Sequence, residues 1–383
     1  MNNITRRTVL TALCAFAFFS SLAQRDDGET FVFAEYNVEN LFDTVHCEGK
    51  QDADFTPQGA YHWTHQRYRS KLRALARVIA SFSDHKPAAL VALCEVENDS
   101  VVRDLAERTR LARMGYSYIV TNSPDVRGID VALLYQPLRF QPVSIDTLRV
   151  NLGVGKRPTR DILHVAGRLQ SGDTLDVVVC HLPSRYGGRL ATENDRATAA
   201  SMIRSLADSL RNSRERFGLI IAGDFNDELQ DKSLSKILEA LPIADVEQQP
   251  LEKQQPSSQS PLPENGQILP NRLYDVCCGA GTHAAANETN AALGGMLADI
   301  DGTYKFQGFW QHIDHVLLSG TILSGRHSLV AEPRCARVMA LDFMIEADGE
   351  HEIKPRRTFL GSSYHGGVSD HLPTVVKMKL RRR

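Results

Sequence analysis

What most limits the folds open to this chain is a recurring unit: an apolar, β-branched run that ends abruptly in an acid, an amide or an imidazole. Leu219-Ile-Ile-Ala222 leads into Gly223-Asp224-Phe225-Asn226-Asp227, Ala88 to Cys94 into Glu95-Val96-Glu97-Asn98, and Leu175 to Cys180 into His181-Leu182-Pro183-Ser184. Asn37-Val38-Glu39-Asn40 follows Thr30 to Tyr36, and Ile313-Asp314-His315 and Ser369-Asp370-His371-Leu372-Pro373 complete the set. A short continuous apolar run reads as a strand covered on both faces. Polar residues at its end then stand at the rim of a buried sheet, where charge need not be stranded in the core.

Further strands are expected at Val131 to Tyr135, Leu163 to Leu169, His315 to Ser319 and Thr374 to Met378. Helical spacing of apolar residues predicts helices over Arg67 to Phe82, Ser100 to Leu111, Asn194 to Arg211 and Ser233 to Leu241. Glu97 and Asn98 read as the cap of the second. Strands outnumber helices and the helices fall between them, which favours a layered α/β or α+β sandwich over a bundle. The 383 residues, 42% hydrophobic, are ample for a large core. A net charge of −2 argues against tight non-specific nucleic-acid binding, yet permits local engagement of phosphates.

Arg6 and Arg7, the apolar stretch Val9 to Phe19, and small residues at Ser21 and Ala23 predict a signal peptide over residues 1–23. Export with cleavage near Ala23 is the expectation, without stable membrane insertion, because that run is short for a bilayer. Residues 24–383 are expected to form a single domain with a flexible insertion around 247–300. There the chain is rich in Gln, Pro and Ser, then Ala, Gly and Asn. Cys94 and Cys180 lie inside apolar runs and read as buried free thiols, and Cys277-Cys278 lacks the spacing of a zinc site.

Each segment alone has two readings. Asp224 and Asn226 suit a hard cation and an attacking water, or an Asx turn closing a strand. Glu95 is metal-bound or a salt-bridged structural acid. His181 is a general acid or base, or a hydrogen-bonded structural imidazole. His312 and His315 could mimic a zinc pair but lack a clear third ligand.

In chain order, Asn37, Glu95, His181, Asp224 with Asn226, Asp314, and Asp370 with His371 resemble the endonuclease/exonuclease/phosphatase superfamily, the fold of pancreatic-type deoxyribonuclease and neutral sphingomyelinase. The resemblance runs from about Phe31 to Lys379. Tyr36-Asn-Val-Glu-Asn-Leu-Phe-Asp43 and Gly128-Ile-Asp-Val-Ala-Leu-Leu-Tyr135 look like a bacterial exported branch. It implies an α+β, four-layer αββα sandwich, two packed mixed β-sheets flanked by helices. It implies a divalent cation, Mg2+ or Mn2+, on Glu95, with Asn37 beside it and Asp370 linked directly or through water. Asp224 and Asn226 would orient and activate water, Asn226 also holding a phosphate oxygen. His371, oriented by Asp314, would hydrogen-bond the scissile phosphate, and His181 would be the second histidine, with Asp130 as its orienting partner. Arg185 and Arg189 are candidates for bidentate substrate contact, or solvated loop charges.

The expectation is therefore a secreted, metal-dependent phosphoesterase that uses activated water on a phosphodiester, DNA or RNA, with no protein partner. The alternatives are a phosphatase or phospholipase-C-like enzyme on inositol, sugar or sphingolipid phosphates, and a binding module without catalysis. A lipid-directed enzyme would be expected to carry an exposed aromatic hairpin. The candidate, Tyr304 to Trp310, reads as core or pocket wall.

Overall fold

The computed structural model describes residues 28–243, 268–277, 300–349 and 352–382. The expected signal peptide and most of the expected insertion lie outside them. Within the insertion range, residues 268–277 are described, and Leu273–Asp275 is a strand.

The chain opens with β1 (Glu29–Leu41), β2 (Leu90–Val96), β3 (Ser117–Val120) and β4 (Asp130–Tyr135). A second group follows: β5 (Phe140–Leu148), β6 (Ile162–Leu169), β7 (Thr174–His181) and β8 (Leu219–Asp224). Then come β9 (Leu241–Pro242), β10 (Leu273–Asp275), the hairpin β11 (Tyr304–Phe306) and β12 (Phe309–Gln311), and β13 (Asp314–Ser319). The last part holds β14 (Leu329–Val330), β15 (Ala336–Val338), two small ribbons made by β16 (Ile345–Ala347) with β17 (Ile353–Pro355) and β18 (Phe359–Leu360) with β19 (Ser363–Tyr364), and β20 (Thr374–Leu380).

One sheet has the order β14-β20-β1-β2-β4-β3, with β15 also on β20; the other runs β5-β6-β7-β8-β13-β10-β9. Both are mixed: β1 is parallel to β2 and antiparallel to β20, and β7 is parallel to β8, which is antiparallel to β13.

The period of two in a strand sends alternate residues to opposite faces, and the sequence uses both faces. Phe31 and Phe33 of β1, Cys94 of β2 and Leu133 of β4 meet Val177, Val179, Ile220 and Val316 of the other sheet in one buried cluster. The intervening Val32, Ala34, Tyr36 and Leu93 pack outward under α1 (His65–Ala80) and α2 (Asp99–Glu107) through Leu72, Leu75, Ile79, Val102 and Leu105. On the far face, Val178, Leu219, Ile221 and Leu317 lie under α3 (Glu193–Ser213) through Ala200, Ile203, Ala207 and Leu210. The result is the expected αββα layering. Each fully buried Leu, Ile or Val contributes about 1.5–3 kcal/mol to it.

Asn98 caps α2 as expected, its side chain accepting from Val101 N–H at 3.1 Å. The helix expected at Ser233 is a single π-helical turn, Ser233–Leu238, stopped by Glu239 in the left-handed region. The longest of the strands that periodicity does not predict is β5. It is an edge strand, mostly exposed, so no buried face imprints alternation on it.

Candidate active site

The strand ends converge as their burial requires. His181 pairs across from Asp224 at the end of β7 and β8, and Asp224 pairs across from Asp314 at the start of β13. Three neighbouring strands therefore deliver an imidazole and two carboxylates in a row, while β1 brings Asn37 from the opposite sheet. A single atom, Asp224 Oδ2, is the focus. Asn37 Nδ2 donates to it at 3.0 Å, His181 Nε2 lies 3.5 Å away and His371 Nε2 4.0 Å away. His371 Nδ1 lies 2.8 Å from Asp314 Oδ2, which Thr303 Oγ1 also contacts. Ser369 ties the segment down, donating to the Asn37 carbonyl at 2.7 Å and accepting His371 N–H at 3.1 Å.

Asp224 Oδ1 accepts the Asn226 N–H at 2.8 Å. The Asx turn and the site are thus the same structure: the turn aims the second oxygen. Asn226 itself adopts φ 50° and donates its side-chain amide to the Leu182 carbonyl at 3.1 Å. Gly223 has φ 144°, and a Cβ there would sit 1.8 Å from the Cys180 carbonyl, so β7 and β8 approach this closely only with glycine.

The field around Asp224 is strongly negative. Burial and then Asp314 push its carboxyl up to about 7. Burial works to lower the His371 imidazole, but Asp314, Asp370 and Asp224 outweigh it and hold the ring protonated well above its ordinary range. His181 goes the other way: burial, then Arg160 and Arg127, keep it neutral. One imidazolium and one neutral imidazole therefore face the same carboxylate, an arrangement suited to splitting donor and acceptor roles.

The expected metal residues arrive by a different route. The β1–β2 register slips after Asn37↔Cys94 to Leu41↔Val96, and β2 bulges against β4 at the same place. Glu39, Asn40 and Glu95 all take positive φ there. The slip re-aims Glu95, whose Oε2 accepts Asn40 N–H at 2.8 Å while Arg127 Nη2 stands 3.5 Å from Oε1. Asp370 is paired with Arg357; burial would raise its carboxyl, yet His371 and Arg357 hold it below the usual range. The atoms gathered most tightly are instead those of Asp224, Asp314 and His371, one from each lying within 4.8 Å of the others. Asp370 borders that cluster, its Oδ1 3.9 Å from His371 Nε2 while Oδ2 pairs with Arg357, and Glu95 is paired with Arg127.

The donor set nevertheless fits a hard divalent cation. Apart from the imidazoles it is oxygen, and its buried acids are under electrostatic strain. Asp224 shows this, as does Glu39, pushed up to about 7 by burial and Asp370.

Asp130 does not reach His181. Its carboxylate accepts from Thr121 Oγ1 and from Ser123 N–H at 3.0 Å, and His181 Nδ1 has no hydrogen-bond partner among the described residues. Arg185 and Arg189 are both paired with Asp231, and Arg185 Nε also donates to the Asn226 carbonyl; Arg185 positions the Asn226 turn instead of facing open solvent. His315 is buried between Asp275 and the Asp227 carbonyl, while His312 faces Asp301, so they share no site. The aromatic segment is only partly wall: Tyr304 packs on the His371 ring at 4.7 Å, but Phe306 and Phe309 are 50% and 75% exposed.

Sequence reasoning missed four groups. Glu35, two residues before Asn37 and on its face of β1, is fully buried, with no hydrogen-bond partner for either oxygen among the described residues. Burial, Asp314 and Asp224 push its carboxyl well up, so it enters the core as a neutral acid. Lys71 occupies the apolar stripe of α1, where a cation is itself a signal. It donates to Thr358 Oγ1 at 2.6 Å and stands 3.8 Å from Glu39 Oε2. Arg127 and Arg357 carry no local signal, because loop residues acquire partners only through the fold.

A model of the endonuclease/exonuclease/phosphatase family matches residues 32–254 and 275–380. No curated protein matches the chain in sequence. An endonuclease/exonuclease/phosphatase family protein from Bacteroides thetaiotaomicron has a similar structure, with a TM-score of 0.51 and 14% identity over 91% of this chain and 95% of that one. The mannosyl-6-phosphatase of Bacteroides thetaiotaomicron VPI-5482 is similar at 0.51 and 15%, over 91% and 99%. A Bacteroides vulgatus endonuclease/exonuclease/phosphatase aligns at 0.50 and 11%, over 92% and 100%.

Proposed function

This chain belongs to the endonuclease/exonuclease/phosphatase family, a family of phosphoester hydrolases, and from that premise we propose that it is a metal-dependent phosphodiesterase acting on nucleic acid. The observation that carries the reading is the convergence on Asp224 Oδ2 of Asn37 and of two imidazoles in opposite protonation states. Asn37, Glu95 and Asp370 would hold a divalent cation, magnesium or manganese, which when bound neutralises charge on the phosphoryl and leaving oxygens. Asp224, with its proton affinity near neutrality, takes a proton from the attacking water. Asn226 fixes Asp224 through its backbone N–H. The His371 imidazolium, held by Asp314, donates from Nε2 to a phosphoryl oxygen as charge develops there. Neutral His181 offers a second contact on the opposite side, and its Nδ1 remains available for a proton.

A second reading, a phosphomonoesterase, is favoured by one feature. Arg127 and Arg357 sit directly on Glu95 and Asp370, which suits the dianion of a terminal phosphate. The mannosyl-6-phosphatase among the structural neighbours is named for such an activity. We also propose export after cleavage near Ala23, with the remainder acting as one catalytic domain.

Hydrolysis of bis-p-nitrophenyl phosphate should disappear in excess EDTA and in Glu95→Ala. Activity surviving both would remove the metal-dependent mechanism. Single-stranded DNA, RNA, sphingomyelin, inositol phosphates and mannose 6-phosphate, compared with one preparation, decide the substrate. Turnover of a monoester with both nucleic acids untouched would replace the first reading by the second. N-terminal sequencing of the secreted form tests the cleavage.

A further inference from the structure

The hairpin β11–β12 inverts the usual patterning of an exposed ribbon. Its register pairs Tyr304 with Gln311, Lys305 with Trp310 and Phe306 with Phe309. Alternation therefore puts Tyr304, Phe306, Phe309 and Gln311 on one face and Lys305 with Trp310 on the other. The charged side is the covered one. The Lys305 side chain is 4% exposed, paired with Glu352 at 2.7 Å and Asp348 at 3.0 Å, with its Nζ 5.8 Å from the Trp310 ring centre. The aromatic side is open, and Phe309 is 75% exposed.

That open face is continuous with the active site at both ends. Tyr304 makes a backbone bridge to His371, and its ring lies 4.7 Å from the imidazole, tilted by 32°. Gln311 Oε1 accepts from Arg185 Nη1 at 3.4 Å, next to the Asn226 turn. Outward from His371, the Tyr304 and Phe306 rings are nearly parallel, 14° apart, with centres 6.4 Å from each other. Such rings, side by side on one strand face, form a flat shelf that begins at the imidazole placed on the scissile phosphate.

We infer that the Tyr304–Phe306–Phe309 face is a substrate subsite that stacks the unpaired bases next to the scissile phosphate of a single-stranded nucleic acid. This rests on the phosphodiesterase reading and names its substrate class. Ring-on-base stacking is tolerant of sequence and needs only a planar partner. Bilayer insertion is the poorer fit. The turn that would enter a membrane first is Gln307-Gly308, both residues at positive φ, a two-residue hairpin turn with a polar tip, and the aromatic face beside it runs from Phe306 and Phe309 back through Tyr304 to the His371 ring.

The test compares the mature protein with Phe306→Ala, Phe309→Ala and Phe309→Trp. The substrates are a single-stranded oligodeoxynucleotide and an equally long oligomer of abasic residues. Exposure of the rings means each variant should keep the parent melting temperature. In the alanine variants KM for the base-bearing strand should rise about tenfold with kcat little changed, while Phe309→Trp retains parent behaviour. The abasic oligomer should be a poor substrate, indifferent to the substitutions. Independently of turnover, quenching of a 2-aminopurine strand in EDTA should be seen with the parent and lost in the alanine variants.

Cleavage of both oligomers at equal rates, unaffected by the variants, would overturn the subsite and leave the nuclease reading standing. Cleavage of neither, with turnover of a phosphomonoester, would overturn the nuclease reading; quenching by the parent alone would then still support the stacking face. Co-sedimentation with phosphatidylcholine–sphingomyelin vesicles that Phe309→Ala abolishes, with 2-aminopurine unquenched, would assign the face to a bilayer and overturn the inference.

Discussion

Asp224 is held at Oδ1 by the Asn226 N–H and faces Asn37 and two imidazoles at Oδ2, and burial and neighbouring charges tune those imidazoles in opposite directions. The state of His371 depends on Asp314. In Asp314→Asn the carboxylate that outweighs burial is gone, so the His371 midpoint, followed by NMR, should fall toward or below 6.5. The activity lost should be about 10²- to 10⁴-fold, the usual worth of a positioned proton donor. An unshifted midpoint would show that Asp370 and Asp224 suffice. His371→Gln should lose a similar factor at every pH, because no proton remains to hold.

His315 makes a stability prediction separate from catalysis. Burial lowers its proton affinity, but Asp275, 2.7 Å from Nδ1, together with the Asp227 carbonyl, raises it above 6.5 overall. A folded value above the unfolded one means the stabilisation is complete below about pH 6.5 and is lost as pH rises through the folded value. The melting temperature should decline over that window in the parent. His315→Gln should remove this part of the slope, and an identical slope in the variant would refute the assignment.

Elements place these residues through register. His181, Asp224 and Asp314 are neighbours because β7, β8 and β13 end together, and β8 can lie this close to β7 because residue 223 has no side chain. Gly223→Ala should cost several kcal/mol, combining overpacking of about 1–3 kcal/mol with backbone strain of similar size. It should also depress activity beyond the loss of folded protein, since Asp224 moves with the strand. Urea denaturation beside the rate of the folded fraction measures both; a parent-like midpoint would sink the prediction. Glu35→Gln, isosteric with the neutral acid this residue becomes, should shift stability by less than about 1.5 kcal/mol.

Most of these elements are legible in the sequence. The runs ending at Glu95, His181 and Asp224 mark strands within a residue or two, and the Leu72, Leu75, Ile79 spacing marks α1. The exceptions follow from the same physics. Strand β5 is mostly exposed at a sheet edge, and the turn after Ser233 is a wider π-helical one that ends where Glu239 enters the left-handed region. The segment Tyr304 to Trp310 reads in sequence as core or pocket wall, yet Phe306 and Phe309 are exposed, because aromatic composition suggests burial and local pattern does not say which face the fold will cover.

For the whole molecule, the surplus of buried acid between the sheets predicts a cation that stabilises as well as serves. Magnesium or manganese at a hundredfold excess over its dissociation constant should add about 2.7 kcal/mol to the folded state. Calorimetry should show the melting temperature rising with metal, falling back with EDTA, and unresponsive in Glu95→Ala. A rise that persists in Glu95→Ala would move the binding to the Asp224, Asp314 and His371 cluster. No helix among the described residues is long and apolar enough to cross a membrane.

What the sequence by itself determined was the layered α+β architecture, the polar ends of its buried strands, and Asn37, His181, Asp224, Asp314 and His371 as the set that the fold brings together. Periodicity and burial are imprinted over a few neighbouring residues, so they can be read locally. Only the tertiary structure decided that His181 is neutral while His371 is charged, that Arg127 and Arg357 hold Glu95 and Asp370, that Asp130 serves Thr121 and Ser123, and that Phe306 and Phe309 face outward. Each of these depends on fields and contacts between residues far apart in the chain, and those exist only once the two sheets have closed on one another.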